Sequence, residues 1–281
     1  MWQKINNFIQ TRTVLSVFLL VVLFMIPITA AGLSLMVGMG GQIEGLSLFT
    51  LCQIACTAVC ILLMRKMEVF DKSEYGFKNV KKGLLLGWIV YVFAIINFIA
   101  NLTSPPEDGY IAPNPLFLIM VILAPFIGTG LFEETLCRGL VLKTLLKKYG
   151  GTKKGMIFSC VVSAALFGTA HLINLVWMDP LSVIPSVFFA TAGGIFFGAI
   201  YLRTKSLMAL ILLHGINNVF GQIFDAFTSP DFIAQRDAVK IGLTETIITT
   251  LIILVLYLIP AFILLRKVKP AEIAGESNFV E

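Results

Sequence analysis

The chain is poor in charge. Only 13% of its 281 residues are Asp, Glu, Lys or Arg, about half the share found in an ordinary soluble domain, while 58% are hydrophobic and the mean hydropathy is +0.92. That scarcity excludes a soluble globular protein. It also excludes a disordered chain or a nucleic-acid binder, because a chain this apolar presents no basic face to water and its net charge of +5 needs another source. Histidine is scarcer still, with His171 and His214 alone. The five cysteines have no paired or C-x-x-C spacing, so no disulfide framework is expected. Cys52, Cys56 and Cys60 recur every four residues and stripe one helix face, which small-residue packing explains more economically than a metal or redox site. No short apolar segment with a cleavage site opens the chain, and the first long apolar run is expected to stay as an anchor.

Long apolar runs are what the sequence has in abundance. Stretches of about 20 residues, enough to cross a hydrocarbon core of roughly 30 Å, fall at approximately 13–37, 46–64, 83–100, 116–142, 155–176, 181–202, 206–224 and 241–265. Eight such spans leave only loops and short tails, so residues 1–281 read as one all-α, polytopic integral membrane domain. Lys4 and Arg12, with the stretches 65–82, 143–154, 203–205 and 266–269, hold 18 of the 21 Lys and Arg residues. The alternate loops hold Glu44, Glu107, Asp108, Asp179, Asp225, Asp231 and Asp237 against Arg236 and Lys240. Basic residues collect on the cytoplasmic side, which accounts for the net charge and predicts a multi-pass protein with both termini in the cytoplasm. Trp2, Trp88 and Trp177 are expected as interfacial anchors or packing residues, and Ala190, Gly194 and Gly198 as a small face for close helix approach.

Ionisable groups inside spans cost at least about 2.5–3.5 kcal/mol each at mid-membrane, so the few that occur are functional candidates. The fourth span carries Glu133, Glu134 and Arg138 within two helical turns. Glu134 and Arg138 are four residues apart and can pair on one face; Glu133, about 100° away, is left to point elsewhere. The spacing separates a structural carboxylate from a reactive one. His171 closes the fifth span and His214 lies in the seventh, so two imidazoles on separate helices accompany the unpaired carboxylate on a third, the convergence a hydrolytic site needs to bind or activate water. Phe167 shares the His171 face and Asn218 the His214 face, where its amide offers a donor or ligand.

Glu-Glu-x-x-x-Arg at 133–138, Phe-x-x-x-His at 167–171 and His-x-x-x-Asn at 214–218, on successive membrane helices, resemble the motifs of the CPBP family of intramembrane proteases, which includes the type II CAAX prenyl endopeptidases and the bacterial Abi proteins. The resemblance covers roughly residues 116–224, the motif-bearing helices four to seven. It implies an intramembrane endopeptidase acting on a membrane-anchored peptide or protein in the lipid bilayer, with Glu133 activating water and His171 assisting. Two forms of the mechanism follow. In one, Glu133, His171 and His214 hold Zn²⁺ and Asn218 supports the site. In the other, which needs no metal, Glu133 with His171 is the base, and His214 and Asn218 donate to the oxyanion. The compact chain is more similar to the bacterial branch, implying a plasma-membrane location and a peptide or membrane-protein substrate ahead of a prenylated one.

Two readings of another class compete with the protease. The same carboxylates and imidazoles suit a proton relay in a proton-coupled transporter, and a non-catalytic membrane partner can retain them for packing. Depth is a difficulty for any joint site: helical rise puts Glu133 about 21 Å from Lys147, His214 about 12 Å and His171 about 24 Å into their spans. A tilt, an interfacial segment at 143–154 or a bend at Gly168 has to absorb the difference, and the resulting cavity is expected to open to the cytoplasm.

Overall fold

The computed structural model describes residues 2–36, 42–103, 105–106, 109–176, 178–229, 232–233 and 240–270, except for the side chains of residues 2, 34–36 and 42. Glu107, Asp108, Trp177, Asp231, Arg236, Asp237 and the side chain of Trp2 therefore lie outside the described part. Among the described residues the chain is all-α, with no strand. A short amphipathic helix α1 (Trp2–Thr11) precedes α2 (Thr13–Met36) and α3 (Gln42–Lys66). Next come α4 (Val80–Leu86), α5 (Trp88–Thr103), the long α6 (Pro115–Tyr149), α7 (Lys153–Ala170), α8 (Pro180–Thr204), α9 (Leu207–Gln222) and α10 (Leu243–Arg266).

Among the described residues seven helices are long and apolar enough to cross a membrane, or up to eight if α4 and α5, which meet at a 59° bend, are counted as one span. The protein is therefore a multi-pass membrane protein, and the run expected over 83–100 is bent instead of continuous. A Cβ on Gly87, at the bend, would overlap the Leu213 side chain, and one on Gly83 would overlap Ala209, so both glycines let α4 and α5 lie directly on α9.

Lipid-facing surfaces are apolar, as Leu23 and Ile26 on α2 and Leu251 and Phe262 on α10 illustrate. Two apolar cores lie inside, and α6 serves both: Leu142 and Leu146 pack with α8, α9 and α10, whereas Phe132, Leu136 and Leu140 pack with α2 and α3. Buried Cys56 and Cys60 belong to the second core and Cys52 Sγ approaches Pro27 O at 3.5 Å, so the cysteine stripe packs α3 on α2. Trp88 is exposed. The small face of α8 meets α7, because a Cβ on Gly194 would lie 2.9 Å from that of Ala164.

The basic loops gather at one end of the bundle. Lys82 Nζ donates to Arg203 O, Arg203 Nη1 to Lys267 O, Lys153 Nζ to Arg266 O and Asn79 Nδ2 to Thr204 O. α1 joins them, since Ile9 and Gln10 share a niche with Met67, Thr144 and Lys147. Glu74, from the turn after α3, is buried there between Lys143 Nζ at 2.9 Å and Tyr201 OH at 2.6 Å. The distribution of charge along the sequence thus has a spatial counterpart.

Candidate active site

α6 begins with Asn114, whose side chain accepts from the amides of Leu116 and Phe117, and with Pro115, whose missing N–H costs nothing in a first turn. Pro125 cannot donate and its ring crowds the preceding turn, and here the helix widens into a π segment, Pro125–Gly130. A second π segment covers Thr135–Leu142. Glu133 and Glu134 occupy the single α turn between them, Leu131–Glu134. Wide turns of this kind recur at functional sites because they re-aim side chains.

Close approach of α9 brings His214 to these carboxylates. A Cβ on Gly215 would overlap the Phe126 ring, and one on Gly130 would lie 3.0 Å from Ile211 O, so two glycines set the separation of the helices. Glu134 is fully buried, and its Oε1 accepts from Arg138 Nη1 at 2.9 Å and from His214 Nδ1 at 2.8 Å; its Oε2 is buried without a partner. Arg138 also donates to Gly194 O at 3.2 Å and lies 5.1 Å and 5.5 Å from the ring centroids of Phe167 and Phe197. On the other side of the imidazole, His214 Nε2 stands 3.4 Å from Glu133 Oε2.

This geometry orders the protons. Glu134 accepts from Nδ1, so Nε2 is the nitrogen that faces Glu133. Glu134 therefore orients His214 in addition to neutralising Arg138, and Glu133 is not free of partners as the spacing suggested. Glu133 remains the accessible one of the two, at 23% against 0%. His171 Nδ1 lies 3.0 Å from Phe167 O, and since a carbonyl only accepts, that nitrogen carries the proton and Nε2 is left for chemistry. The Phe167 ring stands between the imidazoles, 5.0 Å from His171 and 6.4 Å from His214.

The depth difficulty largely disappears. Leu207 packs at the level of Gly139, where a Cβ would be 3.5 Å from Leu207 Cδ1. From that level Glu133 and His214 both lie about 9–10 Å in; α6 simply continues past the start of α9. Ser163 Oγ donates to Cys137 O at 2.8 Å and fixes the level of α7, which puts His171 about 6 Å farther from the basic end than Glu133. No bend at Gly168 is needed.

Glu133 and His171 line one cavity of about 320 Å³. It is walled by α2 between Val21 and Gly32, by Phe49 of α3 and by Leu136 and Cys137 of α6. It extends from Glu133 away from the basic end, instead of toward the loops expected to face the cytoplasm. His214 approaches Glu133 from outside this lining, and Asn218, one turn beyond, receives a hydrogen bond from Asn217 Nδ2 at 3.2 Å.

The donor types of Glu133, His171 and His214 suit zinc, but their placement does not form a chelate. Among the described residues no three His, Cys, Asp or Glu side chains converge closely enough to hold a metal ion. The partners on hand are Glu133 with His214, and His171 with a carbonyl.

Sequence reasoning passed over Gly130 and Gly215, readable as glycines near Glu133 and His214 within spans; Gly194, expected for close helix approach, also binds Arg138 through its carbonyl. No curated protein and no solved structure matches the chain. Residues 115–220 match the family described as type II CAAX prenyl endopeptidase Rce1-like, a segment that contains Glu133, Glu134, Arg138, His171, His214 and Asn218. The match is confined to that segment, and it agrees with the resemblance of the motifs to the CPBP family.

Proposed function

We propose that the protein is an intramembrane endopeptidase that hydrolyses a peptide bond in a membrane-anchored peptide or protein, with Glu133 as the general base. The observation that carries this reading is the division of labour between adjacent carboxylates: Glu134, fully buried, anchors His214, which in turn holds Glu133 at the edge of a cavity. A water in that cavity gives its proton to Glu133 as its oxygen adds to the substrate carbonyl carbon; the proton then passes to the departing nitrogen as the C–N bond breaks. His171, the imidazole on the cavity, assists from the neighbouring wall. The basic end is assigned to the cytoplasm of a bacterial plasma membrane, with both termini on that side.

Purified protein in lipid nanodiscs, given a panel of membrane-anchored peptides, is expected to cleave a subset of them, and Glu133→Gln to lose that cleavage while keeping its melting temperature. Equal processing by the two proteins sinks the reading.

A further inference from the structure

We propose that Gln53 and Tyr75 are positioning residues: from α3 and the turn after it, they pin the two wide turns of α6 and so fix the aim of Glu133. The inference rests on the endopeptidase reading above. Both residues lie outside 115–220, the segment that the family matches.

A wide turn is where the aim of a helical side chain is decided. Each residue of an α-helix turns the chain by about 100°, so one residue more or fewer in a turn rotates everything beyond it by that angle. Glu133 and Glu134 lie between two such segments, Pro125–Gly130 and Thr135–Leu142, and their direction depends on both staying wide. Each segment contains a threonine beside the carboxylates: Thr129 stands four residues before Glu133, and Thr135 directly follows Glu134. The hydroxyl of each is met by a side chain from outside α6.

The first pin is Gln53. It is 1% exposed within the span of α3, and its amide faces Thr129 Oγ1, with Nε2 at 3.2 Å and Oε1 at 3.3 Å. Thr50 and Thr57, also buried on α3, spend their hydroxyls inside that helix on Leu46 O and Gln53 O. Gly128 makes the place for the amide, since a Cβ there would lie 2.6 Å from Gln53 Oε1. A buried amide is costly without a hydrogen-bond partner, and Thr129 supplies one.

The second pin is Tyr75. Its OH donates to the fully buried Thr135 at 3.2 Å, while Met64 Sδ stands farther off at 3.9 Å. The turn that carries it is itself secured, because the preceding residue is Glu74, held by Lys143 and Tyr201. Neither Gln53 nor Tyr75 lines the cavity, so each acts on the reaction through α6.

The test uses the full-length protein in nanodiscs and a membrane-anchored peptide that wild type cleaves. Gln53→Met and Tyr75→Phe keep the shape and lose the polar contact. Each is expected to lower kcat at least about fivefold with KM within about threefold, because misplacing a reacting group by an ångström costs up to about 100-fold. Adding Thr129→Val to Gln53→Met, or Thr135→Val to Tyr75→Phe, is expected to cause no further loss, since the two partners share one contact. Thr129→Ser and Thr135→Ser keep the hydroxyl and are expected to keep kcat within about twofold of wild type.

Aim is also read without turnover. Dicyclohexylcarbodiimide, an apolar reagent for carboxyl groups, is expected to label Glu133 in wild type, and mass spectrometry to find that label reduced at least about threefold in Gln53→Met and in Tyr75→Phe. The proposal is overturned if, in correctly folded protein, either variant falls short of these losses in kcat or label, or shows its loss in KM. Additive losses in the paired substitutions, or serine variants as slow as the valine ones, overturn it equally. Should Gln53→Met or Tyr75→Phe fail to fold, Thr129→Val or Thr135→Val decides in its place. Cleavage by Glu133→Gln at the wild-type rate defeats the endopeptidase reading instead, and the labelling still decides whether the pins direct Glu133.

Discussion

Glu74 and Glu134 are both buried carboxylates held by a cation and a second donor, yet only one of them leads to a site. Glu74 takes Lys143 Nζ on Oε2 and Tyr201 OH on Oε1, and both its oxygens are satisfied at the basic end of the bundle. Glu134 takes Arg138 and His214 on Oε1 alone and leaves Oε2 buried without a partner. Beside Glu134 stands Glu133, which the same histidine touches and which lines a cavity; Glu74 has neighbours of neither kind. Burial and pairing are therefore common to a structural network and a candidate catalytic one. A partly exposed partner on a cavity distinguishes them.

The comparison breaks most readily at Glu133. Glu133→Gln removes the base but keeps the shape, and turnover is expected to fall by about 10²–10⁴-fold with the melting temperature unchanged. Glu74→Gln is expected to leave kcat/KM within a few-fold; a comparable collapse there would erase the distinction between the two networks.

Stability sharpens it next. Arg138→Leu strands the Glu134 carboxylate in a position without water and is expected to cost about 3–5 kcal/mol, read from thermal denaturation in detergent. Lys143→Leu is expected to cost less, because Lys143 is 15% exposed and Glu74 keeps Tyr201. Equal losses would mean that the two sites are buried alike.

A smaller effect comes from pH. Burial pushes the Glu74 carboxyl above its ordinary value of 4.5, although Lys143 and Tyr201 pull it down. The folded state therefore holds this proton to higher pH than the unfolded state does, and the contribution of Glu74 to stability falls as pH rises from 4.5 through the raised value. The melting temperature of Glu74→Gln is expected to decline less over that window than that of wild type. Parallel curves would place the titration elsewhere.

What the sequence made legible, and what it hid, divides by distance along the chain. The spans follow from apolar runs, the shared end of the basic loops from charge, and the Glu134–Arg138 pair from a spacing of four residues on one helix. The bond between Tyr201 and Glu74 joins residues 127 positions apart, and that between His214 and Glu134 joins residues 80 apart; no local period announces either. Depth was misjudged because counting from the nearest lysine assumes that helices start at one level, and α6 runs well past the start of α9. The π segments of α6 escaped for a related reason, since the pattern of a wide turn in an all-apolar run is masked by hydropathy on every face.

The smallest expected effect concerns metal. Three ligand-type side chains drawn from separate helices invite a zinc reading, and ion binding would offset the several kcal/mol that burying them costs. Their observed engagements point the other way: His214 is held between two carboxylates, His171 lies about a turn farther from the basic end, and no three such groups converge among the described residues. Closing them on an ion would require Glu133 or His214 to give up its present partner. Treatment of active protein with a strong chelator is accordingly expected to change turnover by less than about twofold, with full activity at substoichiometric zinc by metal analysis. Loss of activity on chelation and its return with added Zn²⁺ would overturn this expectation. The site would then have to rearrange so that His171 and His214 meet Glu133, and the pairing of Glu133 with His214 would describe a resting arrangement of the side chains instead of the working one.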